Sequence, residues 1–423
     1  MKALLILSLL LPLKVQLSDF GKNDWKPWAP REEIAPRCFV DSTFFRSAPD
    51  SLAISGNANS AAYGGWTYVV PGVEGGRFYR LTAFSRAQGV AEERRQIMVR
   101  VDWLGSDGKR VGQPDYGYQT ESDSGWRKIW LRAPAPQGAC QARIELMLGW
   151  APQGTVWFDD IAFEEVPAPP ARKVRIAAVS FRPRNTGSKE GSVKAFLDTL
   201  DRAGSLKPDL VCLGEGITVV GHGGKHADVA EPIPGPTTER LGRKAAQYGM
   251  YIAAGLYERE GHAVYNTAVL IDRKGKVAGK YRKVYLPREE IEGGLTPGTG
   301  FPVFDTDFGR LGIMICWDLE YTDPARALAA QGAEIVLLPI WGGSLDLMKA
   351  RALENHVFLV SSGYDCETAI IDPAGKILCS AKESGRIETA EVDLEERFID
   401  PWLGDMRSRF HIEQRWDVPL ARR

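Results

Sequence analysis

Three side chains in this sequence have the types needed for attack by sulfur on an unsaturated carbon. Each falls where an apolar run ends: Glu215 in "LVCLGEG", Lys283 in "GKYRKVYLP" and Cys316 in "GIMICWDLEYTDPAR". A free thiol has a pKa of about 8.5, so at neutral pH it needs a base and a nearby positive charge to act as a nucleophile. Taken singly, the cysteine is an ordinary core residue, the glutamate a solvated one and "KYRK" a basic surface turn. Together they share one position, the ends of strands, where α/β folds collect ligands and reactive groups. They are 68 and 33 residues apart, so only a fold could bring them together.

The elements able to do so begin after residue 172. "VRIAAVSF", "PDLVCLGEG", "MYIAAGLYE", "GRLGIMICWD", "AEIVLLPIW" and "VFLVSSGYD" read as apolar strands. Between them "GSVKAFLDTLDRAG" places Val193, Phe196, Leu197 and Leu200 on one helical face. "TTERLGRKAAQYG" and "MKARALENH" read as further helices, and a helix with Asp323 as N-cap and Pro324 at its first position follows Cys316. "YNTAVLIDRKGKVAGKYRKVYLP" and "TAIIDPAGKILCSA" read as hairpins. Strands alternating with amphipathic helices imply a sheet covered by helices.

The Pro/Ala cluster of residues 167–172 is a stiff linker. Residues 19–166, before it, are a run of short alternating segments such as "RFYRLTAFSRA", "QIMVRVDWL" and "ARIELMLGW", separated by turn residues, which predicts an all-β sandwich or jelly roll. The closing "GTVWFDDIAFEEV" resembles the last strand of galactose-binding-like jelly rolls used as carbohydrate-binding modules. That resemblance implies a domain that either binds a glycan or covers one face of its neighbour.

The three motifs around Glu215, Lys283 and Cys316, in this order and with "RALENHVFLVSSG" after them, resemble those of the nitrilase superfamily of carbon–nitrogen hydrolases over residues 173–397. The resemblance implies an α-β-β-α sandwich, dimerised or further assembled through its helices. It makes Cys316 the nucleophile, Glu215 the general base and Lys283 the cation beside the developing oxyanion, aided by the backbone N–H of Trp317. Ammonia or an amine would leave and water would hydrolyse a thioester, with no metal or organic cofactor. A second glutamate of the family follows the lysine. Among Glu289, Glu290 and Glu292, the last fits best, because it precedes a glycine and a later "PG". Tyr257, Asn266 and Trp341 are pocket candidates by position. The expected substrate is a small amide or N-carbamoyl compound; the alternatives are a nitrile, acyl transfer by the same triad, or a glycan-binding protein with an inactive hydrolase domain.

Composition is that of a globular protein: 423 residues, 44% hydrophobic and 25% charged, with a formal net charge of −1. Neither a basic run nor a long apolar segment points to nucleic acid or a membrane span as partner. Residues 1–18, with Lys2 ahead of an apolar run, read as a signal peptide, so export to a periplasmic or extracellular space is expected. The six cysteines form no C-x-x-C pair. Cys38 with Cys140, and Cys366 with Cys379, are conceivable pairs if the protein is exported. "GHGGKHADVAE" places His222, His226 and Glu231 near one another, but its glycines favour a loop bordering the site over a metal centre. The tail, residues 398–423, shows no clear periodicity.

Overall fold

The computed structural model describes residues 13–17, 24–415 and 418. The chain divides into two compact units, Met1–Pro169 with Arg397–Arg423, and Pro170–Glu396.

Strand alternation builds the first unit. Along Phe78–Gln88, Tyr79, Leu81 and Ala83 turn inward while their neighbours stay wetter. This strand and Thr155–Val166 are central in a seven-stranded antiparallel sheet. Gln141–Gly149, between Tyr63–Pro71 and Ile97–Leu104, is central in a five-stranded one. Leu81, Phe158 and Phe163 from the first sheet share one core with Val101, Ile144 and Leu146 from the second.

Segments near both ends of the sequence join this unit. Lys14–Gln16 pairs with Thr155–Val166, and the Leu17 N–H donates to the Ile161 carbonyl at 2.8 Å. Leu17 is fully buried, so a boundary at about residue 18 would remove a segment that this sheet uses; the apolar stretch continues inward through Val15 and Leu17. Residues 1–12 and 18 of the expected signal peptide lie outside the described residues. The tail belongs to this unit: Asp405 caps the helix Met406–Glu413, and Ile412 packs against Met98, Tyr116 and Met147. All six cysteines are free thiols, so neither conceivable pair is formed.

The second unit is an α-β-β-α sandwich. One six-stranded sheet runs Val277–Arg282, Ala263–Ile271, Tyr251–Glu260, Leu210–Cys212, Lys173–Ser180, Arg386–Asp393. The other runs Val303–Asp305, Arg310–Ile313, Ile335–Pro339, Phe358–Ser362, Thr368–Ile371, Ile377–Ala381. The helices Lys189–Gly204 and Pro236–Tyr248 cover the first sheet, and Asp323–Ala330 and Leu345–Asn355 the second. Ser188 caps the first of these helices, and Val193, Phe196, Leu197 and Leu200 are its buried face. The two hairpin turns use the same device: Asp272 and Asp372 each accept backbone N–H bonds from two and four residues ahead. The cap of Asp323–Ala330 is Thr322 rather than Asp323. Asp323 instead accepts a 2.9 Å bond from the Tyr285 hydroxyl.

Candidate active site

The strand Leu210–Cys212 is only three residues long, and the chain turns immediately after it into Gly214 and Glu215. The turn needs a residue without a side chain, because a Cβ at Gly214 would lie 2.6 Å from the Tyr364 ring. Tyr364 then donates its hydroxyl to the Glu215 carbonyl at 2.6 Å. Gly255 on the adjacent strand is constrained likewise: a Cβ there would sit 2.7 Å from the Glu215 Cα. Glu215 is therefore fixed by its backbone before its carboxylate makes any contact.

That carboxylate accepts from Lys283 Nζ at 3.1 Å and from Asn266 Nδ2 at 2.7 Å. Lys283 follows the strand Val277–Arg282, is 1% exposed, and ties its N–H to the Asn266 carbonyl at 2.8 Å. A second carboxylate meets the same two donors: Glu290 lies 3.0 Å from Lys283 Nζ and accepts from Asn266 Nδ2 at 2.7 Å. Two carboxylates and one ammonium leave a net negative charge in a buried place. Burial and the charge of Glu215 push the Glu290 carboxyl up, against the pull of Lys283. Lys283 is held above its ordinary value by Glu215, Cys316 and Glu290, which outweigh its burial.

Glu292, expected in this place, is not there. It is an exposed side chain whose ion pair is with Arg288 at 3.8 Å. Both glutamates lie on the short helix Arg288–Glu292, and two helical residues apart is about 200°, so only one can face the lysine. Glu289 is exposed as well.

Cys316 opens a short 3₁₀ turn, Cys316–Glu320, after the strand Arg310–Ile313. Its φ is +45°, a left-handed value that a residue with a Cβ adopts only at some cost. The thiol faces the Gly342 carbonyl, 4.0 Å from Sγ, and lies within the electrostatic reach of Glu215 and Lys283. Burial and the Glu215 charge push the thiol up to about 12, with Lys283 pulling the other way. At neutral pH the sulfur carries its proton and has an acceptor for it. Trp317 is 40% exposed and sits in the first turn of the 3₁₀ segment, where backbone N–H groups have no partner within the helix.

Several residues that sequence reasoning passed over hold this arrangement. Asp318 is buried and accepts from the Ile315 N–H at 2.9 Å, the Tyr281 hydroxyl at 2.7 Å and the Tyr285 N–H at 3.1 Å. It thereby ties the cysteine turn to residues on both sides of Lys283. Burial pushes its carboxyl up to about 6 despite those donors. Arg351, also buried, donates twice to the Leu319 carbonyl, at 3.2 and 3.0 Å. Of the pocket candidates, Asn266 is the bridge already described. Tyr257 is buried, with His226 stacked on it at 4.3 Å, and its hydroxyl is held well above the ordinary range by burial and the two glutamates. Trp341 donates its indole N–H to Asp365 at 3.1 Å. Among the described residues no three His, Cys, Asp or Glu side chains converge as metal ligands, and no helix is long and apolar enough to cross a membrane.

The α-β-β-α unit thus gathers a thiol, two carboxylates and a lysine near its strand ends. The carbon-nitrogen hydrolase family model matches residues 175–397, and the chain belongs to that family, whose members act on non-peptide C–N bonds. It is 36% identical over 183 residues to a nitrilase of Pyrococcus abyssi, covering 40% of this chain and 69% of that one. An omega-amidase of Xenopus tropicalis is 26% identical over 216 residues, 44% of this chain and 75% of the relative. A bifunctional nitrilase/nitrile hydratase of Lupinus angustifolius is 34% identical, and the chain spans 47% of its length. Among solved structures, an amidase of Nesterenkonia superposes with a TM-score of 0.47 at 23% identity, covering 53% of this chain and 92% of that one.

Proposed function

We propose that the protein is an exported amidase-like enzyme that cleaves an amide or N-carbamoyl C–N bond through a thioester on Cys316. The observation that carries this reading is the convergence on Lys283 of Glu215 and Glu290, with the Cys316 thiol within the electrostatic reach of Glu215 and Lys283. The thiol proton passes to Glu215 as sulfur bonds to the substrate carbon. Lys283 Nζ and the Trp317 N–H stabilise the oxyanion. Collapse breaks the C–N bond, and the nitrogen leaves with the proton returned from Glu215. Water, deprotonated by Glu215, then attacks the thioester and restores the thiol. Glu290 keeps Lys283 charged and placed.

The nitrilase relatives favour a second reading, in which the same thiol adds to a nitrile. For the first unit the closing strand supports a carbohydrate-binding jelly roll, which would hold the enzyme at a glycan. Intact-protein mass spectrometry after incubation with small amides, N-carbamoyl compounds and nitriles tests the chemistry. An acyl adduct should appear on the wild type and vanish in Cys316→Ala, with ammonia released from the productive class. No adduct and no turnover with any class would sink the reading.

A further inference from the structure

Asn266 lies in the strand Ala263–Ile271, opposite Tyr257 of the neighbouring strand, and is wholly buried. Asparagine is a poor strand former, and an amide taken out of water is costly unless its polar atoms are bonded. Its backbone carbonyl already serves the site by accepting the Lys283 N–H. The side chain is used at one end only. Nδ2 donates to Oε1 of Glu215 and to Oε1 of Glu290, both at 2.7 Å, whereas Oδ1 has no partner among the described residues. Charge fixes this orientation, because turning the amide over would set Oδ1 against two carboxylate oxygens.

Lys283 Nζ donates to the same two oxygens, at 3.1 Å each. Two donor nitrogens thus alternate with two Oε1 atoms in a closed ring. The bonds from Lys283 and Asn266 both fall on Oε1 of Glu215, which leaves Oε2 for the thiol proton. A neutral donor suits the position. A second cation would pair with both carboxylates and weaken Glu215 as a proton acceptor. An apolar residue would leave Oε1 held by Lys283 alone and the carboxylate freer to turn.

We infer that Asn266 is a positioning residue for the hydrolysis: by holding Oε1 of both glutamates, it presents Oε2 of Glu215 to the Cys316 thiol and then to water. The inference rests on the hydrolase reading and deepens it; Asn266 acts only through the two carboxylates. Burial and the Glu215 charge raise the Glu290 carboxyl while Lys283 and Asn266 draw it down, so loss of the amide should raise it further. The other titratable groups facing the pair are the Cys316 thiol, His226 and the hydroxyls of Tyr257 and Tyr364, and the test changes none of them.

The test follows amide hydrolysis across pH in Asn266→Leu, which keeps the volume without a donor, and in Asn266→Asp, which keeps the shape but offers an acceptor. Thermal denaturation checks the fold, and the smaller Asn266→Ser, too short to span both carboxylates, repeats the measurement if the others do not fold. Each charge-assisted bond is worth roughly tenfold or more, so losing two should lower kcat about a hundredfold while KM changes less than about threefold. The acid limb of kcat/KM should move to higher pH. A folded variant with kcat within about threefold of wild type overturns the inference, as does a loss of kcat with an unmoved acid limb. Carbon-13 NMR of glutamate-labelled protein, with signals assigned by Glu215→Gln and Glu290→Gln, reads the carboxyl titration without substrate. Glu290 should titrate at higher pH in Asn266→Leu than in the wild type; an unmoved titration overturns the inference even where no amide is turned over. Absence of turnover by the wild type, with the titration moved, sustains the role of Asn266 in holding the pair and sinks the amidase reading.

Discussion

Replacing Glu290 by Gln should cripple the enzyme while the same change at Glu292 should hardly be felt. Glu290 faces two donors and no acceptor: Lys283 Nζ at 3.0 Å and Asn266 Nδ2 at 2.7 Å. A glutamine there keeps one accepting oxygen but turns its NH₂ towards a donor, and Lys283 loses one of its two anions inside a buried site. Removing one partner of a buried pair costs about 3–5 kcal/mol, much of it the uncompensated charge left behind. If most of that strain falls on the transition state, kcat/KM drops about 10²–10³-fold, since each decade is about 1.36 kcal/mol. Glu292 is exposed and reaches only Arg288, at 3.8 Å, a contact worth well under about 1 kcal/mol. Its variant should stay within about twofold. Ammonia release at saturating and limiting amide, with thermal denaturation to exclude loss of fold, measures both. A Glu292→Gln enzyme reduced tenfold, or a Glu290→Gln enzyme near wild type, would refute the assignment of the second carboxylate.

Alkylation of Cys316 by a small neutral reagent should rise about tenfold per pH unit from pH 7 to pH 10, because the thiol is pushed up to about 12; a plateau below pH 9 would contradict this. Asp318, raised from 3.8 to about 6 by burial, makes its stabilising contribution below its unfolded value and loses it as pH climbs through 6. That loss is roughly 3 kcal/mol between pH 4 and pH 7, and Asp318→Asn should flatten this part of the stability profile in denaturant titrations while lowering kcat through the displaced cysteine turn. Leu17→Ala should lower the unfolding free energy by roughly 2–3 kcal/mol, because Leu17 is fully buried in the core of the first unit; no change would mean that the 14–17 strand contributes nothing to it.

The order of strands and helices in the second unit could be read because its helices carry one clear apolar face and its strands end at glycine or proline. Lys189–Gly204 shows that face in Val193, Phe196, Leu197 and Leu200, spaced i, i+3, i+4 and i+7. The strands were overdrawn. "PDLVCLGEG" and "GRLGIMICWD" look continuous, yet the regular pairing stops at Cys212 and at Ile313. Burial continues past each stop, as Leu213, Met314 and Ile315 are wholly enclosed. Hydropathy reports enclosure, and here enclosure outlasts the ladder: Leu213 and Met314 each keep a single N–H bond to the next strand after the regular register has ended. The helix Met406–Glu413 was missed for the opposite reason: its sequence is largely polar and Ile412 is its apolar anchor in the core, so no period stands out.

At the site, type and position singled out Glu215, Lys283 and Cys316, which the fold brings near one another, but the choice among three glutamates needed the phase of a five-residue helix. The local signal misleads there. An apolar Ile291 suggests an inward face at 291, whereas Ile291 is 60% exposed and Glu290 is the residue that turns inward. The reason is electrostatic: Lys283 is enclosed and binds two carboxylates, and that pairing outweighs burial of one isoleucine, worth about 1.5–3 kcal/mol. Asp318 was illegible because its partners Tyr281 and Tyr285 lie 37 and 33 residues away. Yet it explains how the left-handed Cys316 is sustained. The 1–2 kcal/mol or so that this backbone costs is offset by an acceptor that holds the N–H just before the cysteine and the two tyrosines around the lysine. One buried carboxylate therefore fixes the sulfur and the ammonium relative to each other, and a shift of either would move both.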